Sequence, residues 1–140
     1  MENNFKNNAI AFWLIWFAMF SALFMYQFFL AGGIPSGKNV SEPPVIFMWI
    51  IGVSVLVASV IRWVIIPRQK NFQNLLHLMI VGLALSESIQ FIQIFIVGKN
   101  YPETQLTFFA ISILSVGQFI PFYANAKTLQ NKQNTHPFKQ

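Results

Sequence analysis

Long stretches of this chain carry no charge, or only one. Residues 7–37, 43–61 and 104–126 contain no Asp, Glu, Lys or Arg, and between Lys70 and Lys99 the only charged residue is Glu87. A helix that crosses the hydrocarbon layer needs about 20 mostly apolar residues, and inside that layer a helix satisfies its own backbone polar groups. The runs therefore predict an all-α integral membrane protein with four transmembrane helices, near residues 9–31, 45–66, 75–97 and 106–126. These make up a transmembrane domain over residues 1–126, followed by a basic tail, 127–140, whose Asn, Gln, Lys and Pro137 predict disorder. The chain is 55% hydrophobic and 9% charged, where an ordinary soluble domain carries about a quarter charged residues.

Lys6 gives the first run a charged flank, but the apolar stretch outruns the roughly 7–15 residues of a signal-peptide core, so a retained first helix is expected. With no cysteine, neither a disulfide nor a thiolate site is available. The net charge of +5 is not a nucleic-acid signature once its distribution is read. Lys6, Arg62, Arg68, Lys70, Lys127, Lys132 and Lys139 share one side of the predicted topology, leaving Lys38 and Lys99 on the other. By the positive-inside rule the side with seven of the nine basic residues is cytoplasmic, with both termini. The expected location is a bacterial inner (plasma) membrane.

The two outer loops resemble each other. Gly37-Lys38-Asn39 followed by Glu42 recurs as Gly98-Lys99-Asn100 followed by Glu103, and at the same offset Phe47, Ile50 and Ser54 meet Phe108, Ile111 and Ser115. Two tandem hairpins, helices 1–2 and 3–4, account for that pattern. Tyr26 then falls opposite Glu87, so the first half has no matching carboxylate. Pro43-Pro44 precedes the second helix, Pro67 closes it and Pro102 opens the fourth, positions where a missing N–H does no harm. Pro121, inside the fourth run, predicts a kink.

At about 100° per residue, the third helix has a polar stripe of Gly82, Ser86, Gln90 and Gln93 with Glu87 at its edge. Leu85, Ile89, Ile92 and Ile96 lie opposite and predict a lipid-facing side. The fourth helix echoes the stripe with Ser112, Ser115, Gln118 and Asn125, and the second offers Gly52 and Ser59. The first helix is bulky, with Ala11, Ala18 and Ala22 as its one smooth strip for close contact. Between helices in lipid, small residues and hydrogen bonds supply the contacts, each bond worth on average about 0.6 kcal/mol. The polar stripes thus serve either as packing contacts or as an ion path.

Glu87 weighs on that choice, because a charge at mid-helix costs roughly 2.5–3.5 kcal/mol on insertion scales. Arg62 sits about 7 Å from the cytoplasmic end of its helix and Glu87 roughly 20 Å from the same face, by 1.5 Å per residue. The two are too far apart in depth to pair. Arg62 is expected to snorkel to the interface and Glu87 to be protonated at rest. His77 and His136 stand far apart, without carboxylates at ligand spacing, so no metal site is expected. Nothing in the chain forms a nucleophile–base set or a phosphate loop, so neither an enzyme nor a cofactor is expected.

Arg68-Gln69, followed by Gly82-Leu83-Ala84-Leu85-Ser86-Glu87-Ser88, resembles the proteolipid (c) subunit of rotary ATP synthases, with its Arg-Gln-Pro loop and Gly-Leu-Ala-Leu-x-Glu helix. The resemblance covers about 20 residues. It departs where Lys70 replaces the loop proline and where Trp49, Leu56 and Trp63 stand in place of a close-packing Gly-x-Gly repeat. It implies that Glu87 takes up and releases H⁺ or Na⁺. The residues leave two functions open. One is an ion-handling membrane subunit with Glu87 as carrier and Ser86, Gln90, Gln93, Ser112, Ser115 and Gln118 as its polar support. The other is a non-catalytic accessory or scaffold subunit of a larger membrane complex. Either suits a homo-oligomer or an assembly with other membrane subunits.

Overall fold

The computed structural model describes residues 2–69 and 71–124, with side chains from Asn7 onward other than Lys99. The expectations placed on Lys70 and on residues of the tail (Asn125, Lys127, Lys132, His136, Pro137 and Lys139) lie outside the described residues, as do the side chains of Lys6 and Lys99.

The helices are α1 (Glu2–Phe29), α2 (Val45–Val60), α3 (Phe72–Ile92) and α4 (Pro102–Gly117). α2 runs on through a π-helical turn (Ile61–Ile65) into Ile66–Arg68, and α3 continues through a π-helical turn (Gln93–Val97). With these extensions four helices are long and apolar enough to cross a membrane: Asn7–Phe29, Val45–Arg68, Phe72–Val97 and Pro102–Ala124. They match the four predicted runs.

Local chemistry explains the element ends. Asn71 caps α3, its side chain accepting from the Gln73 N–H at 2.9 Å. Pro102 occupies the first turn of α4, where its absent N–H would have no helical partner. Pro67 does not end the second helix. The chain widens ahead of it into a π turn in which the Ile66 N–H bonds the Ile61 carbonyl, five residues back. That widening relieves the clash between a proline ring and the carbonyl four residues earlier. Pro121 does more than kink: α4 stops at Gly117, and a 3₁₀ turn (Pro121–Ala124) follows. Pro121 has no N–H to offer the Gly117 carbonyl, which instead accepts from Ile120 N–H at 3.1 Å.

α3 is the centre of the bundle, packed against the other three helices. α3 and α4 form a closely packed hairpin, whereas α1 and α2 flank that pair and barely touch each other. This centrality overturns the expected lipid face of α3. Ile89 is wholly buried, in a cluster with Ile51 of α2 and Phe108 of α4, and Leu85 and Ile92 are half-buried. The free strip of α3 is narrower and rotated, carrying Val81, Phe91 and Phe95, with Ile96 exposed near its end. A helix with neighbours on three sides has no room for a wide apolar lipid face. Of the smooth strip of α1, Ala18 is exposed while Ala11 and Ala22 are half-buried. The fully buried residues through which α1 docks are Phe12, Leu23 and Gln27. Phe12 sits edge-on to Phe72 and Tyr123 with ring centroids 5.4 and 6.2 Å apart.

One glycine is there for contact. At Gly82 the Phe119 ring lies where a β-carbon would stand, and Phe119 is fully buried. Gly82→Ala should therefore cost the bundle about 1–3 kcal/mol, the usual penalty for overpacking. Denaturant titration in detergent micelles measures it, and an unchanged midpoint would show that Phe119 moves aside freely.

The two similar loops lie side by side. Asn39 donates through Nδ2 to Thr104 Oγ1 at 3.0 Å. Its Oδ1 accepts from the backbone N–H of Glu103 at 3.1 Å and of Thr104 at 3.4 Å. Tyr101 at the start of α4 supplies no side-chain cap, so Asn39 caps α4 from the other loop. A Val40 N–H to Asn100 carbonyl bond at 3.2 Å ties the loops further.

Candidate functional site

Polar residues of all four helices, Glu87 excepted, meet one another inside the bundle. Ser86, Glu87, Gln90, Gln93, Ser112 and Ser115 are all buried, and Gln118 is half-buried. Toward the paired loops, Gln27 of α1 gathers the seam. Its Oε1 accepts from Gln90 Nε2 at 2.9 Å and from Gln93 Nε2 at 2.7 Å, while its own Nε2 donates to the Gly33 carbonyl at 2.6 Å. Ser112 Oγ donates to Gln90 Oε1 at 2.9 Å. Further along, the hydroxyls of Ser86 and Ser115 stand 2.7 Å apart. Gln118 Nε2 donates to Ser115 Oγ at 3.5 Å, and Gln118 Oε1 accepts from Ser59 Oγ at 3.2 Å.

The far end of the seam is built on the broken end of α4. The carbonyls of Val116, Gly117 and Gln118 lose their α-helical donors there; Gly117 keeps the Ile120 N–H, and side chains of other helices reach the other two. Trp16 Nε1 donates to the Val116 carbonyl at 3.0 Å, and Arg62 Nε donates to the Gln118 carbonyl at 2.6 Å. The Arg62 guanidinium lies over the Trp63 ring at 4.6 Å and the Tyr123 ring at 4.4 Å. The expectation that Arg62 snorkels away is therefore corrected. A cation at a helix C-terminus is favoured by the dipole, and here it also fills a hydrogen-bond vacancy and meets two aromatic faces. That combination holds Arg62 on the bundle.

Glu87 stands apart from all of this. It is 8% exposed, and its Oε1 has no hydrogen-bond partner. At about 100° per residue it falls between Leu83, which is buried, and Phe91, which is exposed. That is the rim of the buried face, on the side turned to α1, where Tyr26 packs on Phe91 at 5.1 Å between ring centroids. α1 and α3 run parallel, with Phe12 against Phe72 and the Leu23 carbonyl 3.5 Å from Gln90 Nε2. The carboxyl is thus next to the polar seam through Ser86, and not part of it.

Sequence reasoning missed Gln27, Trp16 and Asn39 as partners, whereas Ser59 joins Gln118 of the fourth-helix stripe. Gln27 had a readable signal, as the only amide in the apolar run of the first helix. His77 stands without a metal cluster among the described residues.

No family model, curated protein or solved structure matches the chain. The fold and the buried seam define its class: it is an all-α integral membrane protein of four spans, with its polar groups turned inward.

Proposed function

We propose that this protein is a small ion-handling membrane subunit in which protonation and release at Glu87 accompany ion movement. The observation that carries the reading is the unpartnered, buried Glu87 carboxyl at mid-span. A structural carboxyl would be hydrogen-bonded, because leaving such a group unmade costs about 1–3 kcal/mol. Ionisable residues inside membranes that persist at this cost mark ion and proton paths. It lies at the rim of the buried face, in line with the exposed Ile80 and Phe91, the side from which a second subunit would approach it. The resemblance of Gly82–Ser88 to the proteolipid subunit agrees with that role.

Glu87→Gln keeps the side-chain shape and cannot ionise. In vesicles reconstituted with the whole chain and a pH-sensitive dye, it should abolish proton flux while leaving folding intact. Equal flux in the two proteins would end the ion-handling reading.

The accessory reading retains one favourable observation. An open apolar groove of about 490 Å³ between α2 and α4, lined by Met48, Ile51, Gly52, Val55, Phe108 and Ile111, could seat apolar side chains of another subunit's helix. Copurification of partners in mild detergent, with normal assembly in the Glu87→Gln protein, would favour it.

The orientation belongs to the same proposal: both termini in the cytoplasm of a bacterial inner membrane, on the asymmetry of basic residues. Cysteines introduced singly at Ser41 and Asn100, both exposed at the paired loops, should react with an impermeant thiol reagent from outside. A cysteine at Gln133 should not. Labelling at position 133 from outside reverses the topology.

A further inference from the structure

We propose that Arg62, held on the broken end of α4, is a binding site for the phosphate of a phospholipid drawn down into the leaflet at that end of the bundle. The site is separate from Glu87 and does not depend on the ion-handling reading.

A guanidinium carries a positive charge and five N–H donors. The Arg62 Nε hydrogen goes to the Gln118 carbonyl at 2.6 Å, and among the described residues the Nη hydrogens find no acceptor. Arg62 makes no bond to Ser59, one turn back on α2, or to Gln118 Oε1, which bond each other at 3.2 Å. The Tyr123 hydroxyl is buried without a partner. The charge is unmatched as well. Of the four carboxylates in the chain, Glu42 and Glu103 belong to the paired loops at the opposite end and Glu87 lies mid-span. Glu2 starts α1 ten residues before Phe12, the ring packed on Tyr123, and is thus about 15 Å away along the axis. Residues 125–140 contain no Asp or Glu. The C-terminal end of α4 offsets the cation by roughly half a charge, which leaves it net positive.

Depth then selects the counter-ion. Arg62 comes 17 residues after Val45 and Gln118 comes 16 after Pro102, so both lie about 25 Å from the paired-loop end at 1.5 Å per residue. With that end at one boundary of a hydrocarbon layer about 30 Å thick, Arg62 stands roughly 5 Å inside the other. A free side chain would snorkel out. Arg62 is kept at this level by the Gln118 carbonyl and by the rings of Trp63 at 4.6 Å and Tyr123 at 4.4 Å. The bilayer therefore comes to the charge, thinning locally to bring headgroups down. A guanidinium fork matches two phosphate oxygens. The flanking surface suits an amphiphile: Val60, Trp63 and Val64 on α2 and Phe122 past the end of α4 are exposed, a place for acyl chains. A free phosphate would shed its water there at high cost.

Native mass spectrometry of the whole protein in mild detergent tests the site, with phosphatidylglycerol, diacylglycerol of the same chains, or inorganic phosphate added. Phosphatidylglycerol should be retained and diacylglycerol lost. Arg62→Gln should weaken that retention roughly tenfold, as expected for a lost charge-assisted contact. Arg68→Gln, at an exposed position nearer the end of the same helix, should change it far less. Because Arg62→Gln also strips the Gln118 carbonyl, the natural protein supplies an independent measurement: phosphatidylglycerol should raise its thermal midpoint and diacylglycerol should not. Equal retention of the two lipids, or equal shifts in midpoint, overturns the phosphate site. Equal losses in the two arginine variants overturn it in favour of a diffuse basic surface. Displacement of phosphatidylglycerol by inorganic phosphate overturns the lipid as the source of the phosphate.

Discussion

Replacing Glu87 by leucine should yield a protein that is inactive and at least as stable as the natural one. The reason lies in the unmatched Oε1, buried with no hydrogen-bond partner. Such a group costs the folded state about 1–3 kcal/mol, and leucine removes it while filling a similar volume. Glutamine retains the unmatched oxygen, so the expected order of stability is Glu87→Leu above Glu87→Gln, with the latter near wild type. Both should carry no proton flux. A rise in denaturation midpoint together with lost transport is the signature of a group kept for function at the expense of stability. The accessory reading predicts the reverse: leucine would break a hydrogen bond to a partner helix and weaken assembly. Denaturant titration and size-exclusion profiles of the three proteins decide between these. A loss of more than about 1 kcal/mol in the leucine variant would sink the claim that Glu87 has no structural partner.

The membrane fold was legible because it rests on length and charge alone. Uncharged runs of bilayer length admit little besides helices, and all four appear where the runs lie. The inward face of α3 was legible for a similar reason: in lipid, Ser86, Gln90 and Gln93 have to find protein. What the sequence left hidden was the arrangement of neighbours. Ile89 and Ile92 read as lipid-facing because periodicity gives the angle between residues and says nothing of how many helices surround them. Arg62 read as a snorkelling cation because its acceptor, the Gln118 carbonyl, exists only once Pro121 has broken α4. Gln27 lay on a helix whose aromatic bulk concealed its one inward amide. Asn39 looked like a loop residue, and its role depends on two loops 65 positions apart in sequence meeting at the start of α4. The repeated Gly-Lys-Asn pattern read as two tandem hairpins, helices 1–2 and 3–4; only the second is a packed pair, since α1 and α2 barely touch, and the two loops meet each other instead.

Gln27→Leu should be the most destabilising substitution in the seam. Gln27 Oε1 serves two amides at once, Gln90 at 2.9 Å and Gln93 at 2.7 Å, and its Nε2 holds the Gly33 carbonyl at 2.6 Å. Gln93 already has an unmatched Oε1, so it would lose its one hydrogen-bonded contact to α1. Gln90 keeps Ser112 and a long 3.5 Å contact to the Leu23 carbonyl. With each orphaned group costing about 1–3 kcal/mol, the single substitution is expected to cost about 2–5 kcal/mol. The accompanying Gln93→Leu change tests the mechanism. Replacing both partners by apolar groups is close to neutral where removing one is not, so the double variant should recover much of the loss. A double-mutant cycle then gives a large favourable coupling between positions 27 and 93. Additive losses would mean that Gln27 acts through Gly33 and the loop instead. Proton flux discriminates further: the amide cluster lies toward the loops and Glu87 lies outside it, so the double variant, once folded, should still respond to the Glu87→Gln change.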